Sequence, residues 1–352
     1  MTVTSVVSTR FLASRISNQL RCWLSYALSL FGIVRVRHLP TFVSVEPANF
    51  CQLRCPECPV GIASRLSPHN PTANSQLPIT NRLMTMETFH RILDNVKEHA
   101  HTMQFYFQGE PLLNKQLPEM IAMAHKVGLY TIVSTNAQAL NCSTAKALVK
   151  SGLNRIIVSI DGFSEESYAA YRVGGSLHKA LEGLQHLANA KAELHSRIRI
   201  ELQVLLLKTN EHEWEWIKKN YKKLGATHLV FKTAQLYNFE HGHPLMPTDE
   251  RYSRYRKTAD GTYVHKSSHL SPLALSPHRL IASQPCLRLW SGCVITTSGD
   301  VLPCCYDKDH RHALGNITTH SLSEIFHSHK ANTLRKHILK GNLPEMCKNC
   351  DH

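Results

Sequence analysis

The sequence predicts an α/β fold in which six parallel βα units precede a small cysteine-rich α+β domain. Two observations carry this prediction. Short apolar segments alternate with longer segments of helical period, and nine of the 11 cysteines lie in two clusters. Strands that alternate with helices favour a parallel sheet. The predicted strands are residues 41–47, 103–107, 129–134, 155–160, 197–207 and 228–232. The predicted helices between them are residues 86–99, 115–127, 143–151, 177–194 and 210–224.

Composition and charge are those of an ordinary globular protein with more than one unit. The chain has 352 residues, of which 43% are hydrophobic and 19% charged, and its formal net charge is +14. A basic balance suits nucleic acid, an anionic membrane surface or an anionic ligand, or it is a solubility charge spread over the surface. No long Lys or Arg block and no nucleic-acid motif is present, so we expect no nucleic-acid partner.

The chain divides into four predicted parts: residues 1–40, 41–235, 236–284 and 285–352. The first is a basic amphipathic helix that either lies on an anionic membrane surface or packs on the main domain. Its apolar run is too short to span a bilayer, which needs about 20 residues. The third, without clear period, is expected to be a linker or a substrate-covering loop, and residues 59–82 are also predicted to be a loop. We expect a cytoplasmic protein, with or without peripheral membrane contact.

The cysteine spacing indicates metal in a reducing compartment rather than disulfides, which belong mainly to small secreted chains. Cys51, Cys55 and Cys58 form the CxxxCxxC run CQLRCPEC directly after the first predicted strand. Three thiolates leave one position open in an iron–sulfur cluster that needs four ligands. A zinc site typically uses two CxxC-like pairs, so this run alone fits zinc poorly.

This run and the strand ends that follow it resemble the radical S-adenosylmethionine (radical SAM) superfamily. QGEP at 108–111 resembles the family's GGEP element, and STN at 134–136 resembles its TNG-like element, with Ala137 where glycine is usual. SIDG at 159–162 resembles its S-x-D-G element. The arginine of YRVGG, Arg172, stands where many relatives have an arginine whose fork pairs with the SAM carboxylate.

The resemblance implies a partial (β/α)6 TIM-like barrel with functional loops at the carboxyl ends of its strands. It implies a [4Fe–4S] cluster on the three cysteines, SAM on the open iron, and cleavage of SAM to a 5′-deoxyadenosyl radical that takes hydrogen from a substrate. It also implies a low-potential electron donor of flavodoxin or ferredoxin type. The residues expected to contact SAM are Gly109, Glu110, Asn136, Ser159 and Arg172. No catalytic acid or base can be named.

The last 70 or so residues resemble the SPASM/twitch domain found behind many radical SAM barrels. They carry a GDVLPC hairpin, the segment LGNI, a helix with a capping box from Ser321 and Glu324, and a final CxxC. This implies one auxiliary [4Fe–4S] cluster. Its expected ligands are Cys286, Cys304, Cys347 and Cys350, with Cys305 the rival of Cys304. The remaining cysteines, Cys22, Cys142 and Cys293, are expected to be structural.

The predicted function is therefore that of a radical SAM oxidoreductase or maturase whose auxiliary cluster accepts an electron. The substrate is a peptide or protein, or a small polyol or amino sugar, and the architecture favours a peptide only by analogy. The alternatives are a zinc-stabilised binding protein, perhaps for nucleic acid, and a degenerate barrel that keeps its clusters for electron transfer.

Overall fold

The computed structural model describes residues 11–66, 82–266, 286–347 and 350. Its strands are β1 (Phe42–Val45), β2 (Thr102–Phe105), β3 (Tyr130–Thr135), β4 (Arg155–Ser159), β5 (Arg199–Leu206), β6 (His228–Thr233), β7 (Tyr255–Lys257), β8 (Tyr263–His265), β9 (Gly292–Ile295), β10 (Asp300–Leu302) and β11 (Gly315–Asn316). Its helices are α1 (Leu12–Ser29), α2 (Pro59–Leu66), α3 (Met86–Val96), α4 (Leu117–Lys126), α5 (Cys142–Lys150), α6 (Glu165–Tyr171), α7 (Leu177–Glu193), α8 (Trp214–Asn220), α9 (Arg288–Ser291), α10 (Leu322–Phe326) and α11 (His329–Leu339).

The first six strands lie side by side in chain order and run parallel, which confirms the predicted α/β class. Alternate residues of each strand point to opposite faces. One face packs against the helices: Val43 and Val45 of β1 join α3 in a common core, as do Leu202 and Val204 of β5 with other helices. The opposite face, which we call the inner face, carries polar residues such as Ser44, Glu201 and Gln203.

The helices form where local capping and apolar spacing agree. In α3, Thr85 caps the amino terminus by accepting the amide of Thr88 at 3.1 Å, and four buried apolar side chains follow at helical spacing. Those four are Phe89, Ile92, Leu93 and Val96. In α10, Ser321 and Glu324 form the predicted capping box, so that prediction is confirmed.

The C-terminal module adds its strands to the same sheet. β9 pairs in parallel with β1, and β10 returns antiparallel through a turn at Gly299, whose φ of +87° is in the left-handed region. The sheet order is therefore β11–β10–β9–β1–β2–β3–β4–β5–β6. The helix α1 packs on the body through buried Arg15, Asn18 and Cys22, while most of its large apolar side chains are exposed. None of the described helices is both long and apolar enough to cross a membrane.

Several local predictions are wrong. Pro59–Leu66 is a helix, although residues 59–82 were expected to be a loop; Pro59 stands at its first position, where proline is favoured. The helix expected over 210–224 is a 3₁₀ segment, Lys208–Glu213, followed by the short α8. Within 236–284, β7 and β8 form a hairpin that no pattern predicted. Residues 67–81 and 267–284 of the two expected loops lie outside the described residues.

Candidate active site

The three cysteines of the CxxxCxxC run lie in a loop that follows the carboxyl end of β1. Cys55 is buried, and Cys51 and Cys58 are half-buried. Burial, the carboxylate of Glu110 and the other two thiols together raise the pKa of Cys51 to about 12, so the three sulfurs lie within electrostatic range of one another. Gly61 of α2 packs directly on this loop, because a Cβ at that position would lie 2.3 Å from the carbonyl oxygen of Cys55.

Gly109 lets the turn after β2 approach the cysteine loop. Its φ is +44°, in the left-handed region, and a Cβ there would lie 2.2 Å from the carbonyl oxygen of Ala48. Only glycine fits such a backbone contact. The amide of Glu110 donates to the carbonyl of Phe50 at 2.8 Å, so this turn is hydrogen-bonded to the residue that precedes Cys51.

The carboxylate of Glu110 is buried beneath the site and satisfied by its own chain. It accepts hydrogen bonds from the Thr135 hydroxyl at 2.7 Å, the backbone amide of Asn136 at 2.8 Å and the backbone amide of Leu112 at 3.1 Å. Burial raises the pKa of Glu110, while these hydrogen bonds act to lower it. The side chain therefore braces the ends of β2 and β3 against each other.

The turn after β3 places an amide on the first cysteine. Asn136 Nδ2 lies 3.3 Å from Cys51 Sγ, and Asn136 Oδ1 accepts a hydrogen bond from Gln52 at 3.1 Å. Ala137 follows with a φ of +62°, which is the conformation that glycine serves at the family's TNG-like element. Sequence position alone had indicated Asn136, and the structure adds the contact to the sulfur.

Arg172 reaches the second cysteine from the end of α6. Its Nη2 lies 2.6 Å from Asp161 Oδ2, its Nη1 lies 4.0 Å from Cys55 Sγ, and its buried Nε has no hydrogen-bond partner among the described residues. Burial lowers the pKa of Arg172, but the Asp161 carboxylate and the Cys55 thiol outweigh it and raise the pKa above its ordinary value. The guanidinium is thus a cation held in place by Asp161, and its Nε–H group is free to donate to a ligand.

The structure does not bring every predicted residue to the cysteines. Ser159 ends β4 on the inner face, and its hydroxyl lies 3.5 Å from Gln203 Nε2. Asp161, two residues later, makes the contact with Arg172 and also accepts the Leu205 amide at 2.7 Å. Asp161 lies in the SIDG element, where the sequence alone indicates no role for it.

The C-terminal cysteines form a second group around Cys286, whose thiol affects the pKa of both Cys347 and Cys304. Burial, Cys350 and Cys286 raise the pKa of Cys347 to about 12. The hydrogen bond with Cys305, then burial and the Cys286 thiol, raise the pKa of Cys304 far more. Among the described residues, no three His, Cys, Asp or Glu side chains stand close enough to hold a single metal ion.

Cys305 has a different environment from Cys304. It accepts a hydrogen bond from Arg288 Nη1 at 3.2 Å, and its pKa is lowered to about 6, first by the hydrogen bond with Cys304 and then by the charges of Arg288 and Lys308. The other three thiols differ in burial, and Cys293 lines the same cavity as Cys304 and Cys305. Cys22 and Cys293 are buried, and Cys142 is the exposed first residue of α5.

A segment of the predicted linker covers the first cysteine loop. The Tyr237 amide donates to Glu57 Oε2 at 2.6 Å, and His243 Nε2 lies 3.4 Å from Glu57 Oε1. Leu236 and Met246 pack in one apolar cluster with Cys55. Residues 236–246 therefore lie over the loop that carries the cysteines.

Sequence reasoning missed two ionisable residues near the site. Glu46 follows β1, is 1% exposed, and its Oε1 has no hydrogen-bond partner among the described residues; burial raises its pKa to about 8. Lys232 lies near the end of β6. Both residues stand near the carboxyl end of a predicted parallel strand. Because those ends meet at one rim of the barrel, their position in the sequence could have indicated that they lie near the site.

Comparison with known proteins agrees with this geometry. Residues 45–220, half of the chain, match the radical SAM superfamily, and residues 286–351 match the SPASM iron–sulfur cluster-binding domain. The chain is 24% identical over 330 residues to PqqA peptide cyclase of Bradyrhizobium diazoefficiens, covering 89% of this chain and 79% of the relative. It is 26% identical over 322 residues to the protein of that name from Rhizobium meliloti, covering 89% and 80%.

Solved structures share the fold. The structure of anSMEcpe with bound AdoMet and the Cp18Cys peptide is 17% identical, covers 89% of this chain and 86% of that chain, and gives a TM-score of 0.57. Streptococcus suis SuiB bound to the precursor peptide SuiA is 14% identical, covers 88% and 69%, and gives a TM-score of 0.59.

A partial parallel barrel with three convergent cysteines, followed by a cysteine-rich module, defines a radical SAM enzyme with an auxiliary cluster domain. The chain belongs to the radical SAM superfamily and carries a C-terminal SPASM domain. Enzymes of this class use [4Fe–4S] clusters and SAM, so the zinc-stabilised binding protein is set aside.

Proposed function

We propose that this enzyme modifies a peptide that carries carboxylate side chains, using two [4Fe–4S] clusters. Cys51, Cys55 and Cys58 would hold the first cluster and leave one iron for SAM. The second would be held by Cys286, Cys304, Cys347 and Cys350. When bound, the first cluster and SAM supply a one-electron cleavage of the sulfonium, with the electron from a flavodoxin- or ferredoxin-type donor, and a radical that removes a hydrogen atom from substrate.

The observation that carries the SAM site is the spare donor of Arg172. A buried guanidinium nitrogen without a partner is costly, so a ligand acceptor beside it would be strongly favoured. Arg172 already lies within 4.0 Å of Cys55 Sγ, and a SAM molecule on the open iron needs a cation for its carboxylate. Asp161 would hold the guanidinium in place while Nε binds that carboxylate.

The neighbouring turns would position the rest of SAM. Gly109 brings backbone to the cysteine loop, and backbone carbonyls there can accept hydrogen bonds from an ammonium. Glu110 would act by bracing this turn, since its oxygens already accept three hydrogen bonds. Asn136 would orient Cys51 through its 3.3 Å contact with the sulfur. Ser159 would line the same rim from β4.

The auxiliary cluster would serve as the electron acceptor after hydrogen removal. Its cysteines lie in the module whose β9 pairs with β1, so the strand that leads into the first cysteine loop is hydrogen-bonded directly to that module. Arg288 and Lys308 lie beside Cys305 and would offset the negative charge of the thiolates. We also propose that 41–235 and 285–352 are the functional units and that 236–284 covers the substrate.

A peptide substrate is supported by the relatives, one set of which is named for a peptide. The anionic character of that peptide is argued from Lys232. Phe231 packs on the helix side of the sheet, so its neighbour Lys232 faces the inner side. Lys232 is in register with Leu205, which packs against the group of apolar side chains that includes Cys55. No described carboxylate lies within ion-pair distance of Lys232.

Other cations surround Lys232. Lys232 is exposed to solvent. Partial loss of hydration lowers its pKa, and the charges of Arg155, Arg254 and Arg288 lower the pKa further against the opposing effect of Glu201. Glu201 is already paired with Arg155 at 2.5 Å and with Arg199 at 3.1 Å. Lys232 therefore lies among other cations without a described carboxylate of its own, and a substrate carboxylate beside it would favour its charged form.

The test of the chemistry is product formation by the anaerobically reconstituted, reduced chain. With SAM it should release methionine and 5′-deoxyadenosine, and Cys55→Ala should release neither. A reconstituted wild-type protein with full iron and sulfide content that yields no 5′-deoxyadenosine would exclude the proposal.

The test of the substrate class uses a peptide encoded beside the gene, made in its natural form and with Asp and Glu replaced by Asn and Gln. We expect the acidic form alone to be modified well. Lys232→Gln should raise the KM for the acidic peptide about tenfold, as expected for loss of one charge-assisted contact. Lys257→Gln, on the neighbouring exposed hairpin, is the matched control and should leave KM unchanged. Equal KM values for both peptides would refute the role of Lys232.

A further inference from the structure

The helix α1 is packed with its polar side inward. Leu12, Ile16, Leu20, Trp23 and Leu24 recur three and four residues apart, so they share one face, and each exposes between 49% and 64% of its surface. Phe31, just beyond the helix, is 80% exposed. Of the thirteen exposed large apolar side chains in the described residues, eight lie between 12 and 33, so the patch is concentrated on this element.

Specific hydrogen bonds hold this orientation. Arg15 donates to the carbonyls of Lys97 at 2.6 Å, Val127 at 2.7 Å and Gly128 at 2.7 Å. Asn18 donates to Leu39 O at 2.9 Å. Rotating the helix to bury its apolar face would break the three hydrogen bonds of the buried Arg15 guanidinium, which would be costly. The outward apolar face is therefore a fixed feature of the packed helix.

Arginines border the apolar face. Arg21, Arg35 and Arg37 line a groove of about 460 Å³ together with Leu24 and Leu28. All three arginines are exposed, and no carboxylate of the described residues pairs with any of them. An apolar stripe next to unpaired arginines matches the two layers of an anionic bilayer surface, acyl chains below phosphate groups.

We propose that α1 docks this enzyme on an anionic membrane surface, with its apolar face in the interface and Arg21, Arg35 and Arg37 on the lipid phosphates. Charge favours lipid over a second copy of the chain, because two such faces would bring three arginines against three in a protein of net charge +14. The inference is independent of the proposed substrate.

Docking in this way leaves the active site facing water. The carbonyls that hold α1 belong to residues just before β1, β2 and β3, at the amino ends of the strands. The cysteine loop follows β1 at its carboxyl end. A peptide could therefore reach the barrel rim while the opposite end rests on lipid.

The test is co-sedimentation of the full reconstituted chain with vesicles of phosphatidylcholine alone and of an equimolar mixture with phosphatidylglycerol. We expect binding to the mixed vesicles, weaker binding to phosphatidylcholine, and loss of binding as salt rises. Trp23→Glu should weaken binding about tenfold or more, the effect of one large apolar side chain left in water. Trp216→Glu, a tryptophan of 49% exposure on α8 against 51% for Trp23, is the matched control and should bind as wild type.

Leu20→Glu, at the most exposed large apolar side chain of the helix, gives an independent variant if Trp23→Glu fails to fold. Replacement of Arg21, Arg35 and Arg37 by Gln should reduce binding to the mixed vesicles and leave binding to phosphatidylcholine unchanged. Absence of binding to the mixed vesicles would overturn the proposal, as would equal binding by both tryptophan variants. A dimer in solution that Trp23→Glu dissociates would also overturn it and make the face an interface between copies.

Discussion

Asp161 holds Arg172 beside the cysteine loop through an ion pair of 2.6 Å between Oδ2 and Nη2. The carboxylate is fully buried and the arginine side chain is 14% exposed. Arg251 and Asp249 form an ion pair of the same length at the surface, where the arginine is 81% exposed. The two ion pairs are equally long, but only the buried one has little competition from water, so Asp161 holds Arg172 in place more firmly than Asp249 holds Arg251.

Arg172→Lys is expected to weaken SAM binding at least about tenfold while both clusters remain, because an ammonium cannot keep the Asp161 contact and offer a second donor in the same plane. Equilibrium dialysis of labelled SAM against the reconstituted variant measures the effect, with iron content as the check on the clusters. Arg251→Lys is the matched control and should bind SAM like the wild type. Unchanged SAM affinity in Arg172→Lys would contradict the assigned role.

Ala137→Gly is expected to stabilise the protein. Ala137 has a φ of +62°, which costs an L-residue about 1–2 kcal/mol and costs glycine almost nothing. Glycine also raises the conformational entropy of the unfolded chain, which offsets part of this gain in stability. The net gain should be about 0.5–1 kcal/mol, measured from the urea midpoint under anaerobic conditions. Ala147→Gly, inside α5, is the control of opposite sign and should cost about 1 kcal/mol.

Glu46→Gln is expected to flatten the dependence of stability on pH. Burial raises the pKa of Glu46 from 4.5 to about 8, so the folded protein binds a proton that the unfolded chain releases near pH 4.5. Its contribution is fully present below pH 4.5, is lost between there and pH 8, and falls by about 1.4 kcal/mol per pH unit over that window. The urea midpoint across this range, wild type against variant, measures it; identical slopes would show that Glu46 is not the titrating group.

Cys304→Ala is expected to remove the auxiliary cluster, whereas Cys305→Ala should retain it. Cys304 lies close enough to Cys286 for the two thiols to interact electrostatically, whereas the sulfur of Cys305 accepts a hydrogen bond from Arg288. Iron and sulfide content should fall from about eight to about four of each per chain in the first variant only. The reverse pattern would make Cys305 the ligand.

The sequence predicted the six parallel strands because each is a short apolar run bounded by turn residues, and it indicated the first cysteines because their spacing is local. It could not predict that Glu110 braces β3, since that depends on two hydrogen bonds that the end of β3 donates to Glu110 at the end of β2. The partner of Arg172 and the outward apolar face of α1 are also tertiary. Helical periodicity identifies an apolar stripe but not the side of the helix that the body covers.

The pairing of β9 with β1 has a consequence for synthesis. β1 lies between β2 and β9, so its backbone is paired on both edges only after the last fifth of the chain has folded. Until then the strand that leads into the cysteine loop presents an open edge, and open edges recruit other chains. A nascent or truncated chain would therefore be the aggregation-prone form of this protein, because β9, which covers the second edge of β1, is synthesised late.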